Sequence, residues 1–237
     1  MSIDTTFRTD TAELMDDFAM EGDLLKEALD KIAKINQLLG GNQLTLSGIQ
    51  TLLSKVGLED TITIVDLGCG NGDMLRTIAD SEVFRKYSLQ LIGIDANAYT
   101  IAYAKELSHG YPNISYRCED IFEPEFKKMP FDMVLCTLTL HHFKETEILS
   151  LLEQLYTRAR IGIVINDLQR SGVAYRLFQA LSVVFQLNSM STQDGLTSIL
   201  RGFKKNELEV FSKKLNFNHY TIQWKWAFRY QWIISKL

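Results

Sequence analysis

The stretch VDLGCGNGD, residues 65–73, decides the fold of this 237-residue chain. It follows a short apolar run over residues 62–65 and precedes a helical pattern over residues 74–79. Glycines at such a junction let the backbone turn sharply and let a ligand approach where a Cβ would collide. The stretch therefore predicts a nucleotide-binding loop at the C-terminal end of a first β-strand.

The residue at position 73 decides which nucleotide the loop favours. In the dinucleotide pattern G-x-G-x-x-G the third glycine would fall at this position, where the chain has Asp73. A carboxylate at the start of a helix repels the pyrophosphate that NAD or FAD places there. The Gly-Lys-Ser/Thr of phosphate-binding loops does not follow either. The loop therefore favours a nucleoside without phosphates, preferably a cationic one, and a dehydrogenase ranks lower.

From residue 61 onward, apolar runs typical of strands alternate with helical patterns. With helices between them, strands are predicted at residues 62–65, 89–94, 114–118, 133–136 and 161–165. The segment 220–232 alternates with period two, which predicts two antiparallel strands with one buried face and a turn near 225–227. The predicted fold class is α/β, a Rossmann-like doubly wound sheet of seven mostly parallel strands with an antiparallel C-terminal strand. Ligands bind outside the carboxyl ends of the strands in such sheets.

Two amphipathic helices precede the first predicted strand. They are predicted at residues 23–39, with Asp23 as the N-cap, and at residues 46–55. Residues 1–58 are therefore expected to form a helical N-terminal lobe. Two interpretations stay open, because this lobe could pack on the main domain or cover a pocket as a lid.

The remainder of the chain, residues 59–237, is predicted to be the ligand-binding domain. Between its fifth strand and its next helix lies additional sequence, which predicts a helical insertion at about residues 171–203. Within it, residues 173–185 have the pattern of an apolar helix and the polar residues 190–195 are predicted to be a loop.

Charge and composition exclude several classes of protein. The chain has 25 Lys and Arg against 29 Asp and Glu, a net charge of −4 without a basic run, which argues against nucleic acid as a partner. No apolar stretch approaches the ~20 residues that span a bilayer, and the polar first ten residues do not resemble a signal peptide. A cytoplasmic protein is therefore expected. The three cysteines, Cys69, Cys118 and Cys136, lack paired spacing and are predicted to be reduced thiols in the core.

Four motifs, each at the end of a predicted strand, resemble those of the class I S-adenosylmethionine-dependent methyltransferases. The glycine loop is similar to the first motif of that family, and the later motifs are IGID at 92–95, EDI at 119–121 and FDMVLC at 131–136. The resemblance implies a methyltransferase whose cofactor is S-adenosylmethionine, a nucleoside with an ammonium and a sulfonium. It covers residues 61–167 and agrees with the antiparallel C-terminal strands.

The resemblance also implies roles for the residues of these motifs. Asp95 would bind the ribose hydroxyls, and its distance from the loop is close to the ~20 residues expected for such a carboxylate. Asp120 would bind the adenine amino group, with Ile121 against the ring. The implied cofactor-binding residues are Asp66, Gly68, Cys69, Gly70, Asn71, Gly72, Asp95, Ala96, Asp120, Ile121, Cys136 and Thr137.

The candidate catalytic residues follow the fourth and fifth predicted strands. Methyl transfer from a sulfonium depends mostly on proximity and alignment, and a general base is needed only where the acceptor must lose a proton. His141 and His142 suit that task because histidine titrates near neutral pH, whereas the alternative is one packed and one solvated ring. Asp167 and Arg170 could orient an acceptor or form a structural ion pair. No metal is predicted, because Asp132 lies at the beginning of its strand rather than at the end.

The acceptor class follows by exclusion. The chain has CTLT at 136–139 where amino-methylating nucleic-acid enzymes carry Asn/Asp-Pro-Pro-aromatic, and it lacks the paired glutamates of protein arginine methyltransferases. The chain resembles bacterial methyltransferases of quinones, lipids and polyketide-type compounds, which implies O- or C-methylation of a small, hydrophobic phenol- or quinol-like acceptor. The alternative is a non-catalytic cofactor-binding or scaffolding module of a biosynthetic pathway. No signal in the sequence defines an oligomeric state.

Overall fold

The protein contains one seven-stranded sheet with the predicted doubly wound arrangement. A computed structural model describes residues 3–58, 61–124 and 126–237. The strands are β1 (Thr61–Leu67), β2 (Ser88–Asp95), β3 (Ile114–Cys118), β4 (Met133–Thr137), β5 (Gly162–Leu168), β6 (His219–Lys225) and β7 (Arg229–Ser235). Their order in the sheet is β3-β2-β1-β4-β5-β7-β6. Strands β1 to β5 are parallel, and β7 runs antiparallel to both of its neighbours, which confirms the predicted fold class.

Eight helices accompany the sheet in the described part of the chain. They are α1 (Asp23–Leu38), α2 (Gly41–Leu53), α3 (Asp73–Asp80), α4 (Ala98–Leu107), α5 (Glu145–Arg158), α6 (Gly172–Val184), α7 (Ser189–Arg201) and α8 (Lys205–Lys214). Within these described ranges, no helix has the length and apolar character needed to cross a membrane.

The core lies on both faces of the sheet because alternate strand residues point to opposite sides. On one face, the inward residues of β1, β4 and β5 pack with apolar residues of α5 and α8. On the other face, the sheet packs against α2, α3 and α4, and Ile49, Leu52 and Leu53 of α2 are fully buried. The second helix of the predicted N-terminal lobe is thus a layer of the main core.

The helix boundaries correct two predictions for the N-terminal region. Gly40, with φ of +78°, separates α1 from α2, but α2 begins at Gly41 and not at residue 46. The N-cap of α1 is Gly22, whereas Asp23 is the first helical residue, where its negative charge interacts favourably with the positive end of the helix.

The predicted loop at residues 190–195 is wrong, because these residues form the first half of α7. The Asn188 side chain caps this helix by accepting a hydrogen bond from the Ser191 N–H at 2.8 Å. Met190, Asp194 and Ile199 are buried at helical spacing. The buried face of this helix therefore includes polar residues, and for this reason its sequence lacks the apolar periodicity that predicts a helix.

Two expectations about burial are also corrected, one for the C-terminal strands and one for the cysteines. All of β7 is buried because its two faces pack into the two sides of the core, Trp232 and Ile234 into one and Ile233 into the other. Trp232 is in the core, whereas Trp224 and Trp226 are largely exposed. Cys69 and Cys136 are buried thiols as predicted, but Cys118 is exposed.

Candidate active site

A large cavity lies at the carboxyl ends of the parallel strands, where ligands bind in doubly wound sheets. Its volume is about 1320 Å³, above the ~300–1,000 Å³ typical of a single ligand pocket. Its walls come from the glycine loop, from α1, α6 and α7, and from residues 7–18 and 226–229. The cavity therefore has room for two ligands side by side.

Most of the predicted cofactor-binding residues line this cavity. They are Asp66, Gly68, Cys69, Gly70, Asn71, Asp95, Ala96, Asp120, Ile121 and Thr137. Cys136 does not line it, because its side chain is buried in the core beneath the sheet end. Gly72 does not line it either, and a Cβ at this position would collide with the Tyr116 hydroxyl. The third glycine of the loop thus serves packing of the fold rather than contact with the cavity.

The glycine loop is held in place by the ends of neighbouring strands. The Cys69 N–H donates to the Ile94 carbonyl at 3.0 Å, and the Gly70 N–H donates to Asp95 Oδ2 at 3.1 Å. Gly68 has φ of +65°, and a Cβ there would lie 2.7 Å from the Thr139 side chain. Asp95 therefore orients the loop in addition to facing the cavity.

The carboxyl groups of Asp66 and Asp95 both line the cavity beside the glycine loop. Asp66 is buried and Asp95 is half-buried, and among the described residues Asp66 Oδ1 has no hydrogen-bond partner. Burial, with repulsion from Asp95 and Asp73, raises the pKa of Asp66 to about 8. Burial also raises the pKa of Asp95, opposed by hydrogen bonds from Asn97 and Gly70. Buried carboxylates without a cationic partner favour a cationic ligand.

A short turn over Leu140–His142, here called the histidine turn, contributes the two candidate bases to the cavity wall. The His141 ring is buried, and its Nδ1 lies 2.7 Å from Asp167 Oδ1. Asp167 Oδ2 also accepts the His141 backbone N–H at 3.1 Å. Burial alone would raise the pKa of Asp167, but the charge and hydrogen bond of His141 lower it below its ordinary value. The structure thus brings the predicted residues His141 and Asp167 together.

His142 has a carboxylate partner of its own. Its Nδ1 lies 2.6 Å from Asp16 Oδ1, and the Arg201 guanidinium contacts Asp16 Oδ2 at 2.6 Å. Burial would raise the pKa of Asp16, but the hydrogen bonds from His142 and Arg201 hold it far below its ordinary range. An ionised carboxylate can only accept, so Nδ1 of His142 carries the hydrogen and Nε2 carries the lone pair of the neutral ring. The ring remains 28% exposed and lines the cavity.

Sequence reasoning missed the residues that hold the histidine turn from outside the sheet. Arg8 Nη2 donates to the carbonyls of His141 and Phe143 at 2.7 and 3.0 Å. Arg201 Nε donates to the His141 carbonyl at 3.2 Å. These residues carry no local motif, because they come from the N-terminal segment before α1 and from the last residue of α7.

Helix α7 also fixes the N-terminal segment over the cavity. Asp194 accepts the backbone N–H groups of Leu14 and Met15 at 2.8 and 3.0 Å. Ser198, one turn later, donates to Glu13 Oε2 at 2.7 Å. The spacing of Asp194, Ser198 and Arg201 on one helical face is the signal that could have identified this surface.

The structure does not bring Arg170 to the cavity. Its guanidinium donates to Glu207 Oε1 at 2.5 Å and to the Gly202 carbonyl at 2.6 Å. It also contacts the carbonyls of Thr5 and Thr6. The expected ion pair is therefore made with Glu207, whereas Asp167 binds His141.

One group of side chains among those that the structure describes has the spacing of metal ligands. Potential ligand atoms of Glu13, His141 and His142 lie within 4.8 Å of one another. Arg201 lies 3.6 Å from Glu13 Oε1 and contributes a positive charge at this point. That no metal takes part remains a prediction.

Comparison with known proteins connects this geometry to a family. Residues 64–162 match the family model described as a methyltransferase domain. The fold is similar to the plantazolicin methyltransferase BpumL in complex with SAH, S-adenosylhomocysteine, with a TM-score of 0.64, 18% identity and 90% of each chain covered. It is also similar to magnesium protoporphyrin IX methyltransferase (ChlM) from Synechocystis PCC 6803 with bound SAH, with a TM-score of 0.53, 16% identity and coverage of 83% and 82%.

Curated relatives match over part of the chain. The protein-lysine N-methyltransferase EFM4 of Saccharomyces cerevisiae is 32% identical over 98 residues, which are 39% of this chain and 41% of that protein. Cycloartenol-C-24-methyltransferase 1 of Oryza sativa subsp. japonica is 36% identical over 81 residues, 34% of this chain and 21% of that protein. The chain thus spans less than half the length of these relatives. Over residues 64–162 the chain thus matches a methyltransferase domain, and over most of its length it shares the fold of the two solved methyltransferases.

Proposed function

We propose that this protein transfers a methyl group from S-adenosylmethionine to oxygen or carbon of a small, hydrophobic, phenol- or quinol-like acceptor. The observation that carries the proposal is that two chemically different groups of residues line the cavity, here called its cofactor end and its acceptor end. The first group is the buried Asp66 with the half-buried Asp95, and the second is two histidines that each contact a carboxylate. The first end suits a cationic nucleoside, and the second suits an acceptor that must lose a proton.

The cofactor end fits S-adenosylmethionine in charge and shape. In this proposal Asp95, beside the glycine loop that it orients, binds the ribose hydroxyls. Asp120 and Ile121, which line the cavity, hold the adenine. Asp66, whose Oδ1 is orphaned among the described residues, would attract the positive charge of the amino-acid part. When bound there, the cofactor supplies a methyl group already activated by its sulfonium.

The rest of the cavity favours an apolar acceptor. Its wall includes apolar side chains from residues 15–35 and from α6, namely Phe18, Leu25, Leu29, Ile32, Leu177, Leu181 and Val184. Apolar walls exclude water from the reaction and orient an acceptor through few polar contacts. The N-terminal lobe would then act as a cover, consistent with its contacts to α7.

Within this proposal, His142 is the catalytic base. Its Nε2 carries the lone pair, and its ring is exposed to the cavity. It would take the proton of an acceptor hydroxyl, while Asp16 stabilises the imidazolium that forms. His141 and Asp167 lie behind it, with the two histidine ring centroids 4.3 Å apart. They act as positioning residues.

The first test compares cofactors by calorimetry. We expect SAH to bind and NAD to show no heat at the same concentration, because Asp73 disfavours a pyrophosphate at the start of α3. Binding of NAD without binding of SAH would reject the proposal. A panel of phenols and quinols with S-adenosylmethionine then tests turnover, and binding without turnover across the panel would favour the scaffolding alternative.

A second prediction concerns pH. Because burial raises the pKa of Asp66 to about 8, the carboxyl is protonated below that pH and must lose its proton to pair with the ligand ammonium. The affinity for SAH is therefore expected to rise by up to about tenfold per pH unit between roughly pH 6 and 8 and to level off above. Calorimetry in buffers of different ionisation enthalpy measures the proton released.

The matched control for this prediction is Asp66→Asn, which keeps the shape of the side chain but cannot ionise. Its SAH affinity is expected to be lower and nearly independent of pH over the same range. The raised pKa also means that ionisation of Asp66 is unfavourable in the folded, ligand-free protein. The free energy of unfolding of the wild-type protein is therefore expected to fall as the pH rises from about 4 to 8, and that of Asp66→Asn is not. A flat wild-type affinity profile contradicts the role of Asp66.

A further inference from the structure

Arg229, the first residue of β7, is a buried cation in the cavity wall without an anionic partner. Its side chain is 3% exposed, and within the described ranges no carboxylate forms a salt bridge with it. Its Nη1 donates to Asn36 Oδ1 at 2.6 Å, while its Nε has no hydrogen-bond partner among the described residues. Burial lowers the pKa of Arg229 to about 10, opposed by the charge of Asp167.

Arg8, Arg170 and Arg201, the other arginines near the site, each have more hydrogen-bond or ion-pair partners than Arg229. Arg201 pairs with Asp16, Arg170 pairs with Glu207, and Arg8 donates to carbonyls of the histidine turn. Burying a guanidinium without an anion to pair with it costs several kcal/mol of desolvation free energy. A buried arginine without its anion is therefore expected where a ligand supplies that anion.

Neighbouring residues hold this guanidinium in a fixed position. Asn36 contacts Asn42, which in turn donates to Asp73 Oδ2 at 2.7 Å, so the Nη1 side is anchored to the start of α3. A Cβ at Gly41 would lie 2.7 Å from Arg229 Nη1, so glycine at this position leaves room for the side chain. Arg229 itself lines the cavity.

We propose that Arg229 is an anion-binding residue of the cavity and that its ligand is a carboxylate. The planar guanidinium matches a carboxylate through two parallel hydrogen bonds. Within the proposed function, two ligands could supply the group, namely the amino-acid end of the cofactor or a carboxylate on the methyl acceptor. The inference rests on the proposed function only in naming these two ligands as sources of the carboxylate.

The test uses Arg229→Met and three probes. SAH and 5′-methylthioadenosine share the nucleoside, but only SAH has the amino-acid carboxylate, and benzoate is a carboxylate without a nucleoside. If the cofactor supplies the anion, Arg229→Met weakens SAH binding by about 30-fold or more and leaves 5′-methylthioadenosine unchanged. If the acceptor supplies it, both nucleosides bind as before, and the SAH-loaded protein loses its affinity for benzoate.

Two further variants keep the test decisive. Arg229→Lys retains the positive charge but cannot form two parallel hydrogen bonds, so it is expected to recover part of the affinity that Arg229→Met loses. Arg85→Met, at an exposed position away from the cavity, is the matched control. The proposal is overturned if Arg229→Met binds SAH and benzoate with the affinities of the wild-type protein. It is also overturned if the wild-type protein binds no benzoate while Arg229→Met keeps full SAH affinity.

Thermal unfolding of the ligand-free proteins separates binding from structure. Because Arg229 is unpaired, Arg229→Met is expected to melt no lower than wild type, yet to lose the rise in Tm that the carboxylate probe produces. A lower Tm with unchanged probe affinity would assign Arg229 a purely structural role. If wild type binds no SAH, the proposed function fails, and benzoate binding to the ligand-free protein still tests Arg229.

Discussion

Replacing Asp95 by asparagine is expected to weaken SAH binding by about 100-fold. Its two carboxylate oxygens accept the N–H groups of Gly70 and Asn97 and retain lone pairs for two ribose hydroxyls. Hydrogen bonds to a charged acceptor contribute about 1.5–3 kcal/mol each, so the loss of one or two of them gives an effect of this size. Titration calorimetry with SAH measures it.

The prediction for Asp95 has two internal controls. 5′-Methylthioadenosine has the same ribose, so its affinity is expected to fall in parallel with that of SAH, which separates the ribose from the amino-acid end. Glu153→Gln, an exposed position on α5, is the matched carboxylate control and is expected to bind both ligands like wild type. Unchanged SAH affinity in a folded Asp95→Asn protein would remove this residue from the ribose role.

The second large effect is expected for His142→Gln, which should lower kcat by about 10²- to 10⁴-fold while SAH affinity stays the same. Glutamine keeps a polar side chain of similar length but cannot accept a proton from the acceptor. Asp16→Asn is expected to lower kcat less, because it removes the partner of His142 and not the base itself. Initial rates with an acceptor from the panel, together with SAH calorimetry, measure both effects.

The exposed residue His219 on β6 supplies the matched control for this experiment. His219→Gln is expected to retain wild-type kcat and KM. Retention of most of the activity by His142→Gln would exclude it as the base. A large loss in His141→Gln alone would then indicate that the buried histidine takes this role with Asp167.

The cofactor end could be predicted from sequence because its residues lie at the ends of consecutive parallel strands. Each apolar run located a strand to within a few residues, and the acid after the run fell on the cavity edge, as Asp66 and Asp95 do. Gly72 shows the limit of motif reasoning, because a motif does not tell whether a glycine faces a ligand or a neighbour such as Tyr116.

The acceptor end could be predicted only in part. The histidines were placed correctly beside the sheet, but the partner of His142 was not, since Asp16 lies 126 positions away in the chain. Arg201 is 185 positions from Asp16, in a helix whose buried polar face does not give an amphipathic pattern. Such contacts depend on tertiary packing, which local spacing does not encode.

The two ends of the cavity also differ in how they are assembled from the chain. The residues of the cofactor end come from one segment, 66–137, whereas the acceptor end needs Arg8, the histidine turn and Arg201. Until the C-terminal hairpin is added, β5 lies at the open edge of the sheet, because β7 inserts between β5 and β6. Contacts between distant parts of a chain close long loops and form slowly. During synthesis, the nascent protein would thus acquire its cofactor surface before its acceptor surface, and a chain stalled before β7 would present both an incomplete pocket and an unpaired strand edge prone to aggregation.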